Sequence, residues 1–123
     1  MSLDMTRVKT LVWTTLRGTR RIGDIADRLH VSQETLRKAF RRAEGVPLST
    51  FIARARVEQA KRLLLDSELR CFEICYQVGY SREDVGARAF KRITGMTMLE
   101  YRRIGRRGTH RTRLRPNFSV ARA

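Results

Sequence analysis

The stretch STFIARARVEQAKRLLL, residues Ser49–Leu65, decides how the chain is organised. At 100° per residue, Ile52, Ala53, Val57, Ala60, Leu63 and Leu64 share one arc, and Phe51 and Ala55 widen it past half the circumference. Arg54, Glu58, Lys61 and Arg62 mark the solvated edge. A surface helix needs a single apolar stripe, so an arc this wide predicts a helix packed on two sides, by one lobe before it and one after. Arg56 interrupts the middle of the arc. A guanidinium buried there needs a carboxylate or several carbonyls around it, so a structural role is expected for it rather than a nucleic-acid contact.

Upstream, a first helix is predicted from Asp4 to Arg17, with Asp4 as N-cap, Val8, Leu11, Val12 and Leu16 facing inward, and Gly18 ending it. Trp13 beside that stripe reads as a half-buried core edge rather than a platform for a base. From Ile22 to Gly45, IGDIADRLHVSQETLRKAFRRAEG reads as a short helix, a tight turn at His30 and a second helix capped by Ser32. Ala26, four residues before the turn residue, lets the two helices approach, and the turn itself needs φ > 0, which His tolerates better than most residues. Ile22, Ile25, Leu29, Leu36, Ala39 and Phe40 close a small core.

The pattern returns downstream. Ile74, Cys75, Val78 and Tyr80 take the places of Ile25, Ala26, Leu29 and Val31 at an offset of 49, while Phe90 and Gly95 match Phe40 and Gly45 at 50. This predicts a second helix-turn-helix with one extra residue after the turn, Gly79 as turn residue, Ser81 as N-cap and Asp84 at the capping-box position. Thr97 and Glu100 form a capping box for a last short helix reaching Arg103. The expected fold is all-α, with about seven helices. It comprises a first helix-turn-helix subdomain (1–47), a linker helix (48–65), a second helix-turn-helix subdomain (66–104) and a basic flexible tail (105–123).

Charge points to the partner. Twenty-seven Lys and Arg against twelve Asp and Glu give a net charge of +15, enough to attract a polyanion and speed its association. Nucleic acid leads, with a membrane surface second. Eight arginines lie between Arg102 and Arg122; without them nineteen basic residues still face twelve acidic ones, a balance of +7. No window approaches about 18 uncharged apolar residues, and the N-terminus carries no signal-peptide pattern, so a soluble cytoplasmic protein without membrane contact is expected. Cys71 and Cys75, spaced i, i+4, are poorly placed to bridge each other, and His30 and His110 lie far from them in sequence, so no metal or cofactor is expected. Cys75 fills the small-residue position of the motif. No nucleophile–base set, carboxylate pair or phosphate-cradling Gly loop stands at an interpretable spacing, so no enzyme is expected.

RVEQAKRLL on the long helix, GYSREDVGARAFKRITG in the second unit and EYRR at the close resemble the AraC/XylS family of bacterial transcription regulators, over roughly Val8 to Arg103. The likeness is specific in the second half, at Ile74, Cys75, Gly79, Tyr80, Ser81, Ala89, Phe90, Gly95, Met96 and Thr97. It implies a stand-alone member or the DNA-binding end of a longer regulator. Such a protein presents each unit's second helix to successive major-groove segments of double-stranded DNA, contacts RNA polymerase, acts most often as an activator, binds as a monomer and is found on the bacterial nucleoid.

Carried over position by position, the resemblance implies base-facing roles for Gln33, Glu34, Arg37 and Lys38 in the first unit and for Arg82, Glu83, Ala87 and Arg88 in the second. It implies phosphate contacts at Arg21, Ser32, Arg41, Arg70, Ser81 and Lys91. Side-chain chemistry agrees at several: Arg37 and Arg88 can fork onto guanine, Gln33 onto adenine, and Glu34 or Glu83 can accept from cytosine. Two other readings stay open: an RNA-binding or architectural protein using only its basic surface, and an interaction module whose second unit no longer reads DNA.

The chain departs from the family pattern in three ways. Arg21 and Arg70 replace a small polar cap before each unit, each opposing the helix dipole by roughly 0.3–1 kcal/mol but well placed for a phosphate. Met98 replaces a proline. Gly86 replaces a large apolar residue, opposite Leu36 of the first unit, which predicts a hole and a softer second unit.

Overall fold

The structure, a computed structural model, describes residues 3–16 and 22–112, with side chains to residue 106. The described residues form seven helices and no strand: α1 (Met5–Thr15), α2 (Ile22–Arg28), α3 (Gln33–Glu44), α4 (Leu48–Asp66), α5 (Cys71–Gln77), α6 (Glu83–Thr94) and α7 (Met98–Thr112). The all-α expectation holds. Two compact units, Met1–Ala55 and Arg56–Ala123, divide the chain inside α4, so each takes one half of the long helix.

In the first unit Asp4 caps α1 by accepting from the Thr6 N–H at 3.0 Å. The helix buries Val8, Val12 and Leu16 against Ile25 and Ala26 of α2, Leu36 and Phe40 of α3, and Leu48, Ile52 and Ala55 of α4. Trp13 packs half-buried at the edge of this core. Phe40 and Phe51 meet as a tilted pair with centroids 5.4 Å apart. The expected end of α1 at Gly18 lies outside the described residues.

The second unit is built on Val57, Ala60 and Leu64 of α4 with Ile74, Cys75, Val78, Phe90 and Met98. Arg56, only 6% exposed, enters this core and donates from Nη1 to the Val78 carbonyl at 2.6 Å, its guanidinium 5.4 Å from the centroid of the Tyr80 ring. A carbonyl and a ring face therefore meet the guanidinium that breaks the apolar arc.

The last helix is longer than its sequence suggested. α7 does not stop near Arg103 but runs to Thr112, so residues 105–112, assigned above to a flexible tail, are helical. At Gly105 the helix passes close to the end of α4, where an added Cβ would press on the tip of the Leu65 side chain. Arg102 donates from Nε to the Leu64 carbonyl at 2.9 Å and from Nη2 to the Ser67 carbonyl at 3.0 Å. Arg106 reaches the same Ser67 carbonyl and lies 3.4 Å from the Glu68 carboxylate. A helix end leaves its last carbonyls without intrahelical partners and carries partial negative charge. Two arginines that read as solvated charge thus hold α7 to the end of α4.

Candidate nucleic-acid interface

Both units make the same turn. The Val31 N–H bonds to the Ala26 carbonyl at 3.1 Å, and the Tyr80 N–H to the Cys75 carbonyl at 2.9 Å, one bond repeated at the offset of 49. His30 has φ of 58° and Gly79 of 107°, so each turn passes through the left-handed region as its residue type allows. Beyond the turn, α3 and α6 each span twelve residues and end on a left-handed glycine, Gly45 at φ 81° and Gly95 at φ 88°.

The extra residue after the second turn changes how α6 begins. Ser32 caps α3, its Oγ accepting from the Thr35 N–H at 3.0 Å. In the second unit the offset has become 50 by this point, so Arg82, not Ser81, occupies the cap position. The expected Ser81 cap and its capping box with Asp84 are therefore not formed. Asp84 instead accepts from Arg82, Nε to Oδ1 at 3.0 Å and Nη2 to Oδ2 at 2.8 Å, and from Arg88 Nη2 at 3.1 Å. Desolvation pushes the Asp84 carboxyl up, but the charges of Arg82 and Arg88 and the hydrogen bonds from Arg82 and the Val85 backbone outweigh it, so it lies below the usual carboxylate range.

The sequence-derived candidates on the two second helices are exposed. Gln33, Glu34, Arg37, Lys38 and Arg41 are exposed along α3, and Ser81, Arg82, Glu83, Ala87, Arg88 and Lys91 along the start and body of α6. Glu34 and Lys38 pair at 3.1 Å, whereas Arg37 and Arg41 have no ion pair among the described residues. Gln33 lies over Gly23 of α2, where a Cβ would come within 2.9 Å of its Nε2. Arg70 is exposed at the start of α5, and its backbone N–H donates to the Glu73 carboxylate at 2.7 Å. Arg21 lies outside the described residues. Asp84 was missed as part of this surface. The signal for it was the offset of 50, which sets the Asp84–Arg88 pair on Glu34–Lys38.

The expected hole at Gly86 is absent. A Cβ built there would stand 2.7 Å from Cys75 Sγ and 2.9 Å from a ring carbon of Tyr80. The repeat places Cys75 and Tyr80 opposite Ala26 and Val31, so the volume missing at Gly86 is supplied by two larger neighbours. What remains is a cavity of about 10 Å³, at the lower limit for one water and far below a leucine side chain. Burial and the nearby Glu83 and Cys71 charges push the Cys75 thiol up to about 11.

Residues 25–104 match the helix-turn-helix domain family. The Msm operon regulatory protein of Streptococcus mutans is 28% identical over 97 residues, covering 79% of this chain and 35% of that protein. An AraC-like transcription regulator of Streptomyces lividans is 34% identical over 82 residues, covering 67% of this chain and 27% of its own length. The chain thus spans about a third or less of these relatives. The DNA-binding domain of the transcription factor AdpA, solved in complex with a target DNA, superposes with a TM-score of 0.75 at 25% identity, covering 94% of this chain and 98% of that domain. The chain belongs to the AraC-type family of helix-turn-helix transcription regulators.

Proposed function

We propose that this protein binds double-stranded DNA sequence-specifically and regulates transcription, most directly as an activator that touches RNA polymerase, with α3 and α6 as its two reading helices. One observation carries the reading: the Val31–Ala26 and Tyr80–Cys75 turn bonds recur in two units, and each is followed by a twelve-residue helix with an exposed cationic face. An architectural polyanion binder needs the charge but not two copies of this turn. Arg37, Lys38 and Arg88 reach base edges, Gln33, Glu34, Glu83 and Ala87 line the same faces, and Arg21, Ser32, Arg41, Arg70, Ser81 and Lys91 lie toward phosphates. The protein acts as a monomer, without catalysis, in the bacterial cytoplasm on the nucleoid. Among the described residues no helix is long and apolar enough to cross a membrane.

Selection of bound duplexes from a random pool tests this. A recovered motif is the expected result, and Arg37→Ala should relax it at one base position at a cost of about 1–3 kcal/mol. A pool that stays random after selection would overturn the reading. A uniform loss across all sequences on Arg37→Ala would make that residue a phosphate contact.

A further inference from the structure

The three-residue cluster at the start of α6 is an unusual place to spend a carboxylate. Asp84 is the acidic residue that meets two of the arginines on this face, and it engages them differently. The Arg82 guanidinium presents its Nε–Nη2 edge to both carboxylate oxygens, whereas Arg88 gives only one Nη2 bond. All three side chains are well exposed, Arg82 at 71%, Asp84 at 45% and Arg88 at 75%, and ion pairs at such exposure add little to stability. The cluster therefore matters for what it does to the arginines.

The geometry points to Asp84 as a positioning residue for DNA reading, one that restrains Arg88 for a guanine edge. The inference rests on the DNA-reading function proposed above. An arginine must surrender rotamer freedom to fork onto guanine, and one already anchored through a single Nη2 bond surrenders less. Arg88 keeps Nε, Nη1 and the second Nη2 proton for O6 and N7. Arg82 has its Nε–Nη2 edge committed to Asp84 and keeps Nη1 and one Nη2 proton, an end-on pair that can meet a phosphate or a base edge. The first unit carries the same arrangement in weaker form. Glu34 and Lys38 stand at the positions of Asp84 and Arg88 and pair across the same 3.1 Å, but a lysine offers a point charge rather than a fork.

The alternative role for Asp84 is a brake, a negative charge that lowers affinity for every duplex alike. Asp84→Asn separates the two, since it keeps the shape and removes the charge. Binding to the selected duplex and to a scrambled duplex of equal length would be measured for the wild type, Asp84→Asn, Arg88→Ala and the double variant, with thermal unfolding as a check on the fold. A positioning role predicts that Asp84→Asn binds the scrambled duplex at least as tightly as the wild type, yet loses about 3- to 10-fold of its discrimination, a fraction of what a guanine fork provides. In the Arg88→Ala background the same change should leave discrimination where it was. Equal gains on both duplexes would make Asp84 a brake only and overturn the proposal. Loss of discrimination that persists without Arg88 would overturn it as well. A wild type with no preference between the duplexes would instead sink the DNA-reading function on which this rests.

Discussion

The Cβ that Gly86 lacks would stand 2.7 Å from the sulfur of Cys75, so the glycine of α6 and the cysteine of α5 are two halves of one fitted contact. Cys75 is 1% exposed and cannot swing aside into solvent. Gly86→Ala gains about 1 kcal/mol of helix propensity against overpacking of about 1–3 kcal/mol, so it should be neutral to mildly destabilising. Gly86→Leu should destabilise by about 3 kcal/mol. Adding Cys75→Ala, which installs the first unit's Ala26 and removes the nearer clash while leaving the Tyr80 ring on Arg56, should recover part of that loss in thermal unfolding. A single Gly86→Leu variant more stable than the wild type would mean that the space is empty after all.

Arg56 should prove structural. Arg56→Ala removes the donor from the buried Val78 carbonyl and the cation from the Tyr80 face. A stranded carbonyl costs about 1–3 kcal/mol, so the melting temperature should fall, and DNA affinity should fall only as far as the fold does. Lost binding at unchanged stability would assign Arg56 to the interface instead.

Truncation should resolve two roles among the C-terminal arginines. Deleting residues 113–123 removes three arginines and should flatten the salt dependence of DNA affinity. Deleting from Gly105 onward also removes the Arg106 bond to Ser67 and the packing of α7 on Leu65, and should lower the melting temperature. Equal melting temperatures for the two truncations would show that α7 beyond Ile104 contributes nothing.

The two thiols offer a probe of how the second unit opens. Alkylation requires the thiolate, and burial pushes the Cys75 thiol up to about 11, so it stays protonated at pH 8. Cys71, half-exposed, should react first, and Cys75 at a rate set by opening of the second unit. The sign with pH follows from the raised value. Between the ordinary 9.0 and about 11 the unfolded thiol ionises while the folded one stays protonated, so the second unit should lose stability as pH rises through that window. Cys75→Ala should show less of this loss. Labelling of Cys75 as fast as Cys71 would contradict the buried placement.

Much of this was legible from the chain alone because it depends on short-range rules. The left-handed turns follow from His30 and Gly79. The Thr97–Glu100 capping box forms at 2.8 and 3.1 Å as its spacing implies, and the breadth of the apolar arc anticipated that α4 would serve two cores. What escaped depends on partners far apart in sequence. Gly86 reads as a defect until Cys75 and Tyr80 are seen to be larger than their counterparts. Arg102 and Arg106 read as solvated charge because nothing local says that the carbonyls of Leu64 and Ser67 wait beside them. Ser81 reads as the cap because the offset changes from 49 to 50 within the two residues after Tyr80, and the same slip obscures Asp84.

The central claim is that the basic surface reads sequence rather than charge alone, and one competition titration tests it most directly. At a fixed salt concentration, labelled selected duplex bound to the full chain is displaced by unlabelled selected duplex or by a scrambled duplex of the same length and composition. The account predicts that the scrambled competitor must be in excess by a factor of about 10³ or more to match the selected one. A ratio near one would contradict it and leave a protein that binds polyanions without reading them.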